Sequence, residues 1–369
     1  MKRKWTEDEI WKWYRAHEWI SGFNFIPSTP AGGVYAMLQE YNHPYAFNEA
    51  AKEIALAASL GLNSVRLFLP FSLWRQQHDS FMKNLEEFIC LLDSYHMTIM
   101  PVLFNDCTVA KQFHREPVPG PQPEPEEGFF GGTSSNSFDE ETQSGTLVGY
   151  SVTDDPQMER QIEQYVRELS SRYGQDDRLL IWNVWNELGN SGREGKSLPM
   201  ARKIIEWLRQ EDVKQPLTIE MWGAQLKGNY YEWLNNPVFH GDVDRENIEL
   251  SDIVTFHFYG DYTHARRMIE FLKQFNRPLI NTEWMHRPFN SLIQTHLPLW
   301  KREKIGSYFF GLVNGKPQFH IVWDFIKEYP SVDTTVWMHD LYHADFTPYD
   351  AEELEVLRAC NADKDIWKE

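Results

Sequence analysis

The chain is 369 residues long and carries a formal net charge of −18. That length fits two average domains or one large barrel, and no Ser/Gly linker divides it, so one domain over 1–369 is expected. The acidic balance, with no long Lys/Arg run, argues against a nucleic-acid partner or a polybasic membrane anchor. Aromatic residues make up 15% of the chain, with 15 Trp. A core alone rarely needs so many, because each indole N–H wants a partner. Flat faces of this kind stack on pyranose rings. Three cysteines (Cys90, Cys107 and Cys360) are too few, and too odd in number, for a disulfide framework. The start, MKRKWTEDEIWKWY, has no apolar h-region, and no stretch is apolar enough to span a bilayer. A cytoplasmic location is the expectation.

In chain order, residues 5–17 read as an amphipathic helix opened by Thr6 and Glu7-Asp8-Glu9. WISGFNFIP (19–27) reads as a first strand. NEAAKEIALAASL (48–60) is a helix stopped by Gly61. The second strand is LNSVRLFL (62–69), followed by a helix over 81–95, and the third is TIMPVLF (98–104). Residues 107–155 form an irregular insert containing VPGPQPEPEEG and GGTSSNS. Structureless inserts of that length are usually functional, and after a third strand this one belongs on the C-terminal face of a barrel. Alternation resumes with a helix over 156–173, a strand over 179–186, a helix over 198–210 and a strand over 217–221. The path from 224 to 250 gives no clear pattern. Strands over 253–259, 279–283 and 307–313 then alternate with helices over 263–275 and 292–304, and a loop and helix (333–369) finish the chain. Eight strands alternating with helices predict an α/β fold, the (β/α)₈ TIM barrel.

Two of these strands end on a glutamate: LLIWNVWNE at Glu187 and PLINTE at Glu283. On strands four and seven of a barrel, both acids aim at one pocket. Paired carboxylates there serve glycosidic cleavage, one protonated and one ionised. A polar Trp-Asn-Glu tip after LLIW is hard to explain by packing. A buried Glu283 needs a partner, and Arg66, inside the apolar SVRLFL, is the natural one. His257 and Tyr259 alternate on the sixth strand and share a face. From there Tyr259 reaches Glu283 and His257 a sugar hydroxyl. Asn105 and Asp106 end the third strand as candidates for substrate hydroxyls, with Asp106 as the spare carboxylate. Trp74, Trp222, Trp284 and Trp323 are candidate sugar platforms. His339 and His343 are spaced for metal binding if helical, but no HExxH or HxH pattern accompanies them, so no metal and no cofactor is expected. Cys107 is read as a bystander near the pocket mouth.

These residues resemble those of the retaining (β/α)₈ glycoside hydrolases that include the family 5 cellulases, mannanases and xylanases. The likeness runs over roughly residues 18–325. It is carried by Asn186-Glu187, Glu283, Arg66 and His257-Phe258-Tyr259, and by GFNFIPST, LGLNSVRLFL, VLFNDC, WNVWNELGN and FGLVNGKPQFHIVWD. It implies that Glu187 is the acid/base, Glu283 the nucleophile, and Asn186 a partner of the sugar 2-hydroxyl. Four positions depart from the pattern. Leu188 follows Asn-Glu where Pro is common. Phe310 stands at the expected platform Trp. Asn105 and Asn183 stand where Asp is common.

The expectation is therefore a retaining glycoside hydrolase acting on β-linked oligosaccharides or glycosides. The alternatives are a non-catalytic sugar-binding barrel and a transglycosidase using the same glutamates. Sugar, linkage, endo or exo action and oligomeric state are left open by the sequence.

Overall fold

The structure is a computed structural model, described here for residues 3–107, 116–128, 130–132, 152–224, 236–323, 326–327 and 332–368. Eight parallel strands form the centre: β1 (Ser21–Asn24), β2 (Ser64–Phe68), β3 (Thr98–Asn105), β4 (Trp182–Asn186), β5 (Leu217–Ile219), β6 (Val254–His257), β7 (Leu279–Trp284) and β8 (Gly306–Phe310). Their order is β5-β4-β3-β2-β1-β8-β7-β6. The ring closes where Met221 bridges to Phe256, its N–H reaching Thr255 O and its C=O accepting from His257 N. This is the expected TIM barrel. Six strands are shorter than their apolar runs, because only the residues that pair around the ring keep strand geometry, while β3 and β7 each run one residue further, to Asn105 and Trp284.

The helices follow the apolar spacing. The helix expected from residue 48 starts earlier, at His43–Ser59, where Pro44 fits its first turn. His78–Ser94, Glu159–Tyr173, Leu198–Gln210, Tyr262–Lys273 and Ile293–Arg302 alternate with the later strands. The unclear stretch after residue 224 contains the helix Asp242–Leu250; residues 225–235 lie outside the described part. Its Asp244 carboxylate accepts the backbone N–H groups of Trp222, Gly223 and Ala224 and so shapes the turn beyond β5.

The N-terminal helix, Glu7–Arg15, opens with a reciprocal cap between Thr6 and Glu9. It buries Ile10 and Tyr14 against Ile20, Met100, Ile253, Ile280 and Tyr308, plugging the N-terminal end of the barrel. Gly22 is needed there, because a Cβ would lie 2.5 Å from the Tyr308 ring and 2.7 Å from Ser64 O. With that end sealed, access to the interior is left to the C-terminal face, where the βα loops carry function. Among the described residues no helix is long and apolar enough to cross a membrane.

Candidate active site

Arg66 organises this face. Its register neighbour is Asn24 on β1, and its guanidinium is fully buried. Nη1 donates to Asn24 Oδ1 and Glu283 Oε1, each at 2.8 Å. Nη2 donates to Asn186 Oδ1 at 2.7 Å and to Glu220 Oε1 at 3.3 Å, and Nε to Asn183 Oδ1 at 2.9 Å. A planar fork with five N–H groups suits such a ring of acceptors; a lysine would not. Asn183 and Asn186 are three residues apart yet both face Arg66, because the β4–β5 register shifts between Asn183 and Trp185. Register shifts also occur in β6 before His257 and in β7 before Trp284. Bulges of this kind re-aim side chains beside active sites.

The two glutamates face one pocket but sit in different surroundings. Glu283 has Arg66 on one oxygen and the Tyr259 hydroxyl, 2.8 Å away, on the other. Glu187 accepts from Asn190 Nδ2 and lies 2.9 Å from His257 Nδ1. Burial raises its carboxyl above the usual range, against the pull of Asn190, Arg66 and Cys107. Burial likewise lowers the pKa of His257, which favours its neutral ring beside Glu187. The two carboxyls thus differ in their partners, and burial pushes that of Glu187 toward its protonated form. A ligating atom of each glutamate and one of His257 lie within 4.8 Å of one another. That matches the short carboxylate separation of retaining enzymes, roughly 5–5.5 Å, and not the roughly 6.5–9.5 Å of inverting ones.

Sequence reasoning missed one carboxylate. Glu220, the residue after β5, is fully buried. Its Oε1 accepts the Glu187 N–H at 2.7 Å as well as Arg66, and its Oε2 accepts Asn183 Nδ2 at 2.9 Å. His257 Nε2 is 3.6 Å away. Glu187 itself has φ of +45°, a left-handed conformation that is strained for a side-chain-bearing residue. Glu220 holds the backbone of the proposed acid by its own amide. Asn183 thus bridges Glu220 and Arg66, donating to the first and accepting from the second.

Other expected site residues fall in several places. Asn186 Nδ2 donates to Asn105 Oδ1 at 2.9 Å, which brings Asn105 into the network. Trp222 is partly exposed beside Glu187, its Nε1 on Leu188 O. Phe310 is buried at 9% exposure against Phe319. Trp323 stands edge-on to Tyr259, 5.3 Å between centroids. Three readings need correction. Asp106 does not face the cleft: Gly189 N, Ser197 Oγ and Arg193 Nε take its oxygens, so it fastens the turn after Glu187. Trp284 is fully buried and packs on His296 and Trp300, because it follows Glu283 on a strand and must face the helices. Trp74 packs on Phe71 and Tyr165 with its Nε1 on Glu168, away from the pocket. Cys107, read as a bystander, is near enough to Glu187 to help hold its carboxyl pKa down.

His339 and His343 are not on a helix. His339 is fully buried with Nδ1 on Met285 O, and His343 stands edge-on to Trp337. Among the described residues, Glu187, His257 and Glu283 are the one group spaced to hold a metal ion. The Arg66 cation already occupies that place electrostatically, and Glu283 has both oxygens engaged. The donor set therefore suits two working carboxyls better than a cation.

The profile of the family described as Cellulase (glycosyl hydrolase family 5) matches residues 32–343. No curated protein matches the chain. Among solved structures, the chain is similar to a glycoside hydrolase family 5 mannosidase from Rhizomucor miehei, a mutant in complex with mannosyl-fructose. The identity is 14%, covering 95% of this chain and 93% of the other, with a TM-score of 0.53. It is also similar to an exo-β-1,4-mannosidase from Opitutaceae bacterium strain TAV5, at 15% identity over 93% of this chain and 60% of that one, TM-score 0.57. A β-glucosidase is 11% identical over 94% and 98%, TM-score 0.56. At such identities these structures speak for the barrel, while the profile covers most of the chain and its chemistry agrees with the short carboxylate spacing. The chain belongs to glycoside hydrolase family 5 and is a retaining glycoside hydrolase.

Proposed function

We propose that Glu283 is the nucleophile and Glu187 the acid/base in the hydrolysis of a β-linked glycoside of glucose or mannose type. The carrying observation is that two carboxyls facing one pocket have opposite environments: Arg66 and Tyr259 on Glu283, burial on Glu187. Glu283 attacks the anomeric carbon as the glycosidic C–O bond breaks, and Glu187 gives its proton to the leaving oxygen. A water then enters, Glu187 takes its proton, and the new oxygen displaces Glu283 from the anomeric carbon. His257 keeps Glu187 oriented through the hydrogen bond at Nδ1. Asn186, fixed by Arg66 and Asn105, would hold the sugar 2-hydroxyl. Trp222 and Trp323 offer faces on either side of the glutamates. The gluco or manno configuration is suggested by the mannosidase and β-glucosidase similarities, and xylo-oligosaccharides are the comparison substrate. The three cysteines are all free, which supports the cytoplasmic location expected from the sequence.

The roles separate kinetically. Glu187→Ala should cripple cleavage of oligosaccharides yet keep most of the first step on a dinitrophenyl glycoside, whose leaving group needs no proton. Glu283→Gln should lose both. Equal losses on the two substrates for Glu187→Ala would overturn the assignment.

A further inference from the structure

The segment after β3 is tied along one side of the barrel mouth. Glu116 pairs with Arg75 on the short helix Phe71–Gln76 that follows β2. The Pro117 carbonyl accepts from Gln76 Nε2 at 2.8 Å and from the Tyr35 hydroxyl at 3.3 Å. Gly120 N donates to Gln39 Oε1 at 2.8 Å, beside the helix that follows β1. Beyond β8, Glu124 pairs with Lys316, and Gln318 clasps the backbone twice. Its Nε2 donates to Glu126 O at 2.6 Å, and its Oε1 accepts Gly128 N at 2.7 Å. The path thus runs from β2 past β1 to β8 as a fastened strap. Its far end, Phe130, lies 5.2 Å from the Phe319 ring and 5.9 Å from that of Trp323. Trp323 in turn stands against Tyr259, whose hydroxyl binds Glu283.

We propose that this strap walls off the glycone side of the cleft, so that the enzyme removes one terminal sugar at a time from the non-reducing end. The inference rests on the assignment of Glu283 and Glu187 made above. The leaving group must lie beside the proton donor, toward β4 and β5. The sugar that becomes attached to Glu283, and any sugars joined to it, extend the opposite way, over β8, β1 and β2. That is the side the strap occupies. Side-chain pairs and backbone hydrogen bonds hold it to three successive loops, so it is built as a wall and does not merely drape over the mouth. A long chain would have to displace Phe130 and its aromatic partners to place an internal linkage between the glutamates.

The test follows early products from β-linked tetrasaccharides labelled at the reducing end, with hydrolysis of an aryl monoglycoside beside it. The wild type should release monosaccharide and labelled trisaccharide first, with no early labelled disaccharide. Gln318→Ala and Phe130→Ala should each raise the ratio of labelled disaccharide to trisaccharide, by roughly tenfold, a change of about one well-placed contact. Phe130 is a partly exposed strap residue, so its variant folds even if Gln318→Ala loosens the rim. Early internal cleavage by the wild type would overturn the inference while leaving the catalytic assignment standing. An unchanged product ratio in both variants would overturn the strap as the determinant. Failure to cleave any aryl glycoside would overturn the catalytic reading, and the inference with it.

Discussion

Glu220→Gln is the sharpest perturbation of the site because it changes one oxygen to nitrogen and leaves the shape. The carboxylate accepts from Glu187 N and Arg66 on Oε1 and from Asn183 on Oε2. An amide in either orientation turns an NH₂ toward a donor. One orientation breaks the Asn183 bond; the other breaks the bonds to Glu187 N and to Arg66. A buried donor left unmatched costs about 1–3 kcal/mol, and hydrogen bonds to charged groups lie at the upper end. The expected loss is therefore roughly 2–4 kcal/mol of stability, seen as a fall of several degrees in Tm. The larger effect is on activity. With its N–H unheld, or held only by a neutral amide oxygen, at φ +45°, Glu187 relaxes toward ordinary geometry, and a shift of about 1 Å costs on the order of 10²-fold in rate. The variant should lose about that much kcat on oligosaccharides with little change in KM. It should lose far less on a dinitrophenyl glycoside, where Glu187 has no proton to give. Equal loss on both substrates would refute a role through Glu187, as would kcat within about threefold of wild type.

Arg66→Met strands Glu220 and Glu283 without their buried counter-charge and should cost about 3–5 kcal/mol; Arg66→Lys should rescue little, and a Lys variant of near wild-type Tm and kcat would contradict the five-acceptor reading. Burial lifts the Glu187 carboxyl and Asn190 lowers it, so the alkaline limb of the rate on oligosaccharides should lie above the usual carboxylate range. Asn190→Ala should move that limb to higher pH, and a move to lower pH would be wrong in sign. Glu53 is pushed up to about 8 by burial, with one oxygen on Ser28 and the other unpartnered. The folded protein keeps a proton there that the unfolded chain releases above its ordinary value of about 4.3. This contribution to stability is full below that value, declines as pH rises, and is lost as pH passes about 8. Glu53→Gln should flatten the decline in Tm between those limits, and an unchanged slope would count against it.

The barrel was legible because strand and helix periods alternate cleanly. What blurred was the ends, since a strand stops where its neighbours on the ring stop, a property of pairing and not of local sequence. The site was legible wherever a polar residue interrupts or ends an apolar strand, as with Arg66, Glu187, His257 and Glu283. Glu220 carries the same mark, following LTI as Glu283 follows LINT, but the strand expected over 217–221 put it inside the run, whereas β5 ends at Ile219 and leaves Glu220 at its tip. Trp284 could have been placed from alternation alone, since the neighbour of an inward glutamate points outward. Asp106 could not. A strand-end carboxylate reads alike whether it faces the cleft or fastens the next turn, and its partners Gly189, Arg193 and Ser197 come from another loop. The strap likewise depends on contacts almost 200 residues apart, such as Gly128 with Gln318, which no local pattern shows.

The central claim is that Glu283 forms a covalent bond to the sugar. The most direct measurement is to trap it with a 2-deoxy-2-fluoro glycoside carrying an activated leaving group, then digest and locate the adduct by mass spectrometry. The account predicts one fluorosugar per chain, on the peptide containing Glu283 and absent in Glu283→Gln. An adduct on Glu187 or Glu220, or none with a glycoside that the enzyme turns over, would contradict it.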